Sequence, residues 1–485
     1  MMKLNKYLNP GLIANTAFVV FAYWLLAVRN GYMLRWYDEM SLFEPTRIFF
    51  RQFLYYPGGL LRYAGTWLTQ LLYYPWLGAS ALIALWLILA WLIRKGLRLS
   101  DSAAPLALLV PIAMLVSVVQ LDEAWISMKS AGYVFSNTLG YIFSSIMVLL
   151  FRKSTSQPIL AVTVAAISAL CYPFAGFYAL LAAAICSILE ICTAIKEKNL
   201  LHIATAGVVI CLIAIIPQIY YTYFHGNTVD NDYLYLKGLP ELTMEAFDLY
   251  LWMPFIIATS IMLIIALLSG SGWLKDSRFL KCISILAVGC GFIWGLNASR
   301  KSEQLRATVL MLQRLDRNDW QGMNAVMSRI KQPPSYTMRI LNNLALVHLG
   351  QKGESMADYS PAPGDGRHSE KFTMTALVQV PLYHNIGRLN QSYRWAMEHT
   401  VQYGKRVFFL KYMVKDALLR GEIKLAKRYN DILLSTMFHR KWAEDMERYI
   451  ENPSLIDSNP GFQFILKLGE SEKRQESKDD TAEIH

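Results

Sequence analysis

The stretch WLGASALIALWLILAWLI, from Trp76 to Ile93, contains no charged residue and is followed at once by Arg94, Lys95 and Arg98. An uncharged apolar run of this length spans about 30 Å of hydrocarbon as a helix, and basic residues just beyond it mark a cytoplasmic end. Six further runs read the same way: Gly11 to Val28, Ala103 to Val119, Gly132 to Phe151, Leu201 to Tyr220, Leu249 to Leu268 and Phe279 to Leu296. The apolar region from Pro158 to Ile195 is interrupted by Cys171-Tyr172-Pro173-Phe174-Ala175-Gly176, so it is either two short spans or a re-entrant hairpin. Counted as two, it brings the total to about nine crossings. No small-residue cleavage site follows the first run, which therefore reads as a retained helix.

Composition agrees with a chain divided between two solvents. Hydrophobic residues make up 54% and charged residues only 17%, too apolar for one soluble domain. Of the 47 Lys and Arg, 19 precede Asn297 and 28 follow it in a much shorter piece. The six cysteines all lie in apolar runs and form no Cys-x-x-Cys pair, so neither disulfides nor structural zinc are expected. One set of connections carries Lys3, Lys6, Arg94, Lys95, Arg98, Arg152, Lys153, Lys196, Lys198, Lys275, Arg278 and Lys281, which places it in the cytoplasm. The other set holds most of the acids and faces outward. The expected fold is therefore all-α: a transmembrane bundle over residues 1–296, an outer helical-repeat domain over 297–468, and a disordered charged tail over 469–485.

The first outer loop, residues 29–75, contains two aromatic stretches, each closed by Leu-Tyr-Tyr-Pro, and Gly58-Gly59 between them. These predict two short interfacial helices, either a simple brace or the border of a lipid-substrate site. Asp38-Glu39 follows the first span and Asp122-Glu123 follows the third. Acid pairs beside a bilayer are costly unless hydrated, paired or used, so two pairs on one face point to a shared polar cavity, or else to salt bridges with Arg35 or Arg47. Glycosyl transfer from a lipid phosphate needs such groups: a carboxylate to take the acceptor proton, a second to hold a divalent cation or sugar hydroxyls, and an Arg to neutralise the leaving phosphate.

Tyr37-Asp38-Glu39 and Leu121-Asp122-Glu123 occupy the places of the acidic motifs in the integral-membrane glycosyltransferases of the GT-C class, which this sequence resembles over roughly Gly11 to Leu296. The resemblance implies a polyprenyl-phosphate-type sugar donor and a periplasmic protein or glycan acceptor. It makes Asp38, or failing it Glu39, the catalytic base, with Asp122 and Glu123 assisting. Arg35, Arg47, Arg51 and His225 are then the candidates for substrate binding, and Asp38 and Asp122 for a divalent cation such as Mg or Mn. The Trp-Trp-Asp-Tyr-Gly signature of N-linked oligosaccharyltransferases is missing, which disfavours an Asn acceptor. The overall layout also resembles an uncharacterised family of Bacteroidota membrane proteins with a helical-repeat tail, and that resemblance assigns no activity.

The outer loop from Tyr221 to Asp248 offers Asp230-Asn231-Asp232, with the spacing of an Asp-x-Asp metal binder, although solvated loops often contain such a tripeptide. From Arg300 onward, Leu and Ala recur at helical spacing. Asp319-Trp320, Pro333-Pro334 and Gly421 punctuate hairpins of a size similar to tetratricopeptide-type repeats. Lys405, Arg406, Lys411, Lys415, Lys424, Lys427 and Arg428 read as a face for anionic headgroups or an acidic glycan, or as a solvated helix surface. The net charge of +11 comes without stacking motifs, so nucleic acid is not an expected partner, and no Gly-rich phosphate loop is present. Two functions compete: a lipid-phosphate-dependent glycosyltransferase of the bacterial inner membrane, and a non-catalytic membrane-anchored scaffold for envelope proteins.

Overall fold

The computed structural model describes residues 10–121, 124–128, 132–155, 158–224, 234–240, 249–274, 276–300, 302–351 and 372–470. The regular elements among them are helical, with one isolated bridge between Lys237 and Leu239. The chain forms two compact units. The first comprises Met1–Leu34, Thr46–Leu121 and Ser130–Arg300, and the second comprises Arg35–Pro45, Asp122–Lys129 and Lys301–His485.

Seven helices of the first unit are long and apolar enough to cross a membrane: Gly11–Arg29, Pro75–Gly96, Tyr133–Ser154, Phe177–Glu197, Leu200–Tyr223, Leu249–Ser271 and Arg278–Ala298. They make this a membrane-embedded protein. Two shorter apolar helices, Ala104–Val119 and Ile159–Leu170, fall where two more crossings are expected. The first of these opens as a 3-10 turn, Ala104–Leu108, with Pro105 in its first turn. Much of the apolar surface is turned outward, including Leu201, Ile203, Val208 and Ile210, as lipid contact requires. Inside, polar groups link the spans. The indole of Trp86 donates to Thr138 at 3.0 Å, and the Tyr178 hydroxyl donates to Asn137 at 2.9 Å.

The interruption at residues 171–176 forms the four-residue helix Tyr172–Ala175, which is followed by Gly176 with φ +56°. A Cβ on Gly176 would lie 2.2 Å from the Lys237 carbonyl oxygen, and one on Gly58 would lie 2.7 Å from Gly238. Only glycine allows these backbones to meet, and the Phe177 N–H then donates to Lys237 at 2.7 Å. The first outer loop forms the helices Arg47–Leu54 and Gly59–Thr69. Among the described residues, one buried acid lies within a membrane-length helix: Glu190, 2.9 Å from His202 Nδ1 and 3.3 Å from the Thr205 hydroxyl.

The second unit is a series of short helices packed on their neighbours. Ser302, Asp319 and Ser335 cap three of them, each side chain accepting a backbone N–H of the first turn. Gly421, at φ +77°, ends Val407–Leu419 and allows Ile423–Leu434 to start. Nearly every side chain of Val407–Leu419 is buried, which makes it the central helix of the unit. The loop at 360–366 and the tail from 471 onward lie outside the described residues.

Candidate functional site

Asp38 and Glu39 are the last two residues of the helix Gly31–Glu39. Acids at a helix C-terminus oppose the macrodipole, so this position must be balanced by cations from elsewhere. The second unit supplies them. Glu39 receives the Lys411 ammonium on both carboxylate oxygens, at 3.0 Å each, and Arg35 at 3.3 Å from its own helix. Lys411 also lies 3.5 Å from Asp316. Asp38 is 2.8 Å from His439 Nε2, with both side chains buried.

These partners shape the charges. Burial pushes the Asp38 carboxyl above its ordinary range, and the bond to His439 only partly offsets that. Burial pulls Lys411 down, but Glu39 and Asp316 more than restore it and hold it above its usual value. Asp316 sits below the carboxylate range because Lys411 and Lys415 outweigh its desolvation. Lys415 itself is lowered by burial and stands 5.3 Å over the Tyr412 ring.

The same segments are clasped at two further points. Arg406, buried and pushed down to about 10, donates to the carbonyls of Ile126 and Met128 at 2.7 and 3.0 Å. Trp36 packs edge-on against both Trp125 and Phe408. Arg406 and Lys411 therefore point into the unit, which corrects the reading of this stretch as a continuous basic face; Lys424, Lys427 and Arg428 remain exposed. A second buried pair, His384 Nδ1 to Asp416 at 2.7 Å, joins the helix Phe372–Asn385 to the same central helix.

Of the residues singled out in the sequence, the structure brings together Arg35, Asp38 and Glu39. Arg47 and Arg51 are exposed and belong to the first unit. Asp122, Glu123, His225, Asp230 and Asp232 lie outside the described residues. Sequence reasoning missed His439, Asp316, Asp416 and His384 as site residues, and read Lys411 only as part of a surface. The available signal was Lys411, Lys415 and Asp416 set among Phe408, Phe409, Leu410, Met413 and Val414. Charges inside so apolar a helix are buried and paired.

Asp38, Glu39 and His439 can each offer one ligand atom within 4.8 Å of the others, a spacing open to a metal ion. The Lys411 ammonium, however, already bridges both Glu39 oxygens and would repel a dication there. The donor set as folded therefore does not fit a divalent cation. A buried carboxyl of raised pKa hydrogen-bonded to an imidazole is a group able to exchange a proton.

A family match covers residues 5–484, nearly the whole chain. The chain belongs to DUF6057, a family of unknown function. That agrees with the layout resemblance to an uncharacterised family and gives no support to the glycosyltransferase one. No curated protein and no solved structure matches the chain.

Proposed function

We propose that this DUF6057 protein is a transferase of the bacterial inner membrane in which Asp38, paired with His439, takes the proton of an acceptor hydroxyl. The donor is a sugar or glycan on a polyprenyl-phosphate-type carrier, and the acceptor is an envelope protein or glycan on the outer face. The acceptor oxygen forms its bond to the anomeric carbon, the bond from that carbon to phosphate oxygen breaks, and the lipid phosphate leaves with the electron pair. The reading is carried by a buried carboxyl of raised pKa, 2.8 Å from an imidazole, placed just after the first membrane-length helix. The N-terminus would lie in the cytoplasm, and the repeat-like helices outside would present the acceptor.

A second reading, a non-catalytic scaffold, is favoured by the Glu39–Lys411 and Arg406 contacts, which use charge to hold loop segments in the helical unit. One comparison separates the two. The purified protein and its Asp38→Asn variant are each given polyprenyl-phosphate and polyprenyl-diphosphate sugars, and binding and transfer to envelope acceptors are followed. Binding by both proteins with transfer lost only in Asp38→Asn supports the transferase. No binding and no transfer by the folded wild type leaves the scaffold.

A further inference from the structure

The helices Pro75–Gly96 and Tyr133–Ser154 end in Arg94-Lys95 and Arg152-Lys153, and Arg98 follows the first. Such residues normally fan out into water. Here Lys95, Arg98 and Lys153, all exposed, and half-buried Arg152 surround one open concavity of about 300 Å3, completed by Leu149 and Thr155, and no acid lines it. Arg94 is engaged elsewhere, 2.5 Å from Asp101.

The two arginines are held in place by the fold. Arg98 adopts the left-handed backbone conformation, φ +50°, that L-residues rarely take, and its guanidinium donates to the Arg152 carbonyl at 3.0 Å. Arg152 reaches the Ser269 hydroxyl at 3.4 Å, and that hydroxyl is bonded in turn to the Leu97 carbonyl. The Arg152 Nε is buried with no hydrogen-bond partner among the described residues. None of the four cations has an acidic partner among the described residues. Gathering like charges costs free energy unless an anion lies between them, and a buried guanidinium donor without an acceptor is a further cost.

We propose that this concavity binds the phosphate group of an anionic membrane phospholipid. The shared chemistry is a phosphate oxygen cluster, which Arg holds through paired donors and Lys through point charge. The lipid is favoured over a soluble phosphate because the cations sit at the ends of two membrane-length helices, and apolar Leu149 lines the concavity beside them. The volume is at the small end for ligand pockets and suits a single headgroup. The charge bias of the sequence assigns this end to the cytoplasmic leaflet, where basic clusters at helix ends meet anionic headgroups. The site is separate from Asp38 and stands whatever that residue does.

The test uses the full-length protein, delipidated in detergent and titrated with phosphatidylglycerol or phosphatidylcholine of equal chain length, with bound lipid counted by native mass spectrometry. Lys95→Gln with Lys153→Gln removes two cations whose side chains make no hydrogen bond within the described fold, and Arg278→Gln with Lys281→Gln removes two exposed cations elsewhere. Wild type and the second double variant are expected to bind phosphatidylglycerol alike and to ignore phosphatidylcholine, with the first double variant about thirtyfold weaker. Equal weakening in both double variants would mean diffuse attraction and overturn the site. Equal binding of both lipids would do the same. Thermal protection by inorganic phosphate or glycerol phosphate as strong as that by phosphatidylglycerol would overturn the lipid assignment in favour of a soluble phosphate.

Discussion

At the scale of single residues, burial sets two titrations of opposite sign. His348 is stacked 3.8 Å from Trp320, nearly parallel to it, and lies 4.6 Å from Phe464; burial lowers it from the ordinary 6.5 to about 4. Between those values the unfolded chain binds a proton that the native chain resists. Stability is therefore full above pH 6.5 and falls as pH drops toward 4, by about 3 kcal/mol for this group. His348→Phe keeps the stack and is expected to flatten that part of the profile of melting temperature against pH; an unchanged slope would show that the imidazole titrates normally. Asp38 runs the other way. Its folded carboxyl is raised, so its contribution is largest below the unfolded value of 3.8 and is lost as pH rises through the folded one. Once ionised, the buried carboxylate is a burden on the fold, and Asp38→Asn is expected to hold or raise the melting temperature while removing transfer. A protein keeps such a group at a cost when chemistry needs it, and a large drop in melting temperature would instead make Asp38 structural.

At the scale of elements, the central helix Val407–Leu419 meets the end of Gly31–Glu39 through a buried ion pair. Glu39→Gln leaves the Lys411 ammonium with Asp316 alone, 3.5 Å away. Removing one partner of a buried pair destabilises by roughly 3 kcal/mol or more, whereas replacing both by neutral groups is far milder. In a double-mutant cycle, Glu39→Gln with Lys411→Met is expected to recover most of the loss seen in Glu39→Gln, and simple additivity of the two losses would refute the coupling. This contact also marks what could be read along the chain and what could not. The acid pair Asp38-Glu39 stood out because it comes roughly ten residues after the first apolar run, on the outward side. Its partners did not, because His439 and Lys411 lie 401 and 372 residues away, and no local period links them. Lys405 to Arg428 looked like a basic surface on net charge alone, although the apolar neighbours of Lys411 already placed that residue inside. Helix punctuation was the readable part: Asp319 as a cap and Gly421 as a stop are set by nearest neighbours, and both stand where expected.

At the scale of the whole molecule, the long apolar helices were legible because hydrocarbon thickness imposes a length that composition alone reveals. The division of the chain was less so. A boundary near residue 297 separates the apolar runs from the rest, yet the second compact unit also takes in Arg35–Pro45 and the segment around residues 124–128. A fragment starting at residue 301 would therefore lose part of its own interior. Lys411 would be without Glu39, His439 without Asp38, and Arg406 without the carbonyls of Ile126 and Met128. Phe408 would lose the cover of Trp36. Buried charges without partners and an uncovered aromatic are among the costliest defects a small domain can carry. Residues 301–470 expressed alone are expected to be aggregation-prone or only partly folded, and Lys411→Met with Arg406→Met is expected to improve the fragment while weakening the intact protein. Circular dichroism and the sharpness of thermal unfolding decide it. A fragment that folds cooperatively without these substitutions would show that the two loop segments rest on a finished domain and are not part of its core.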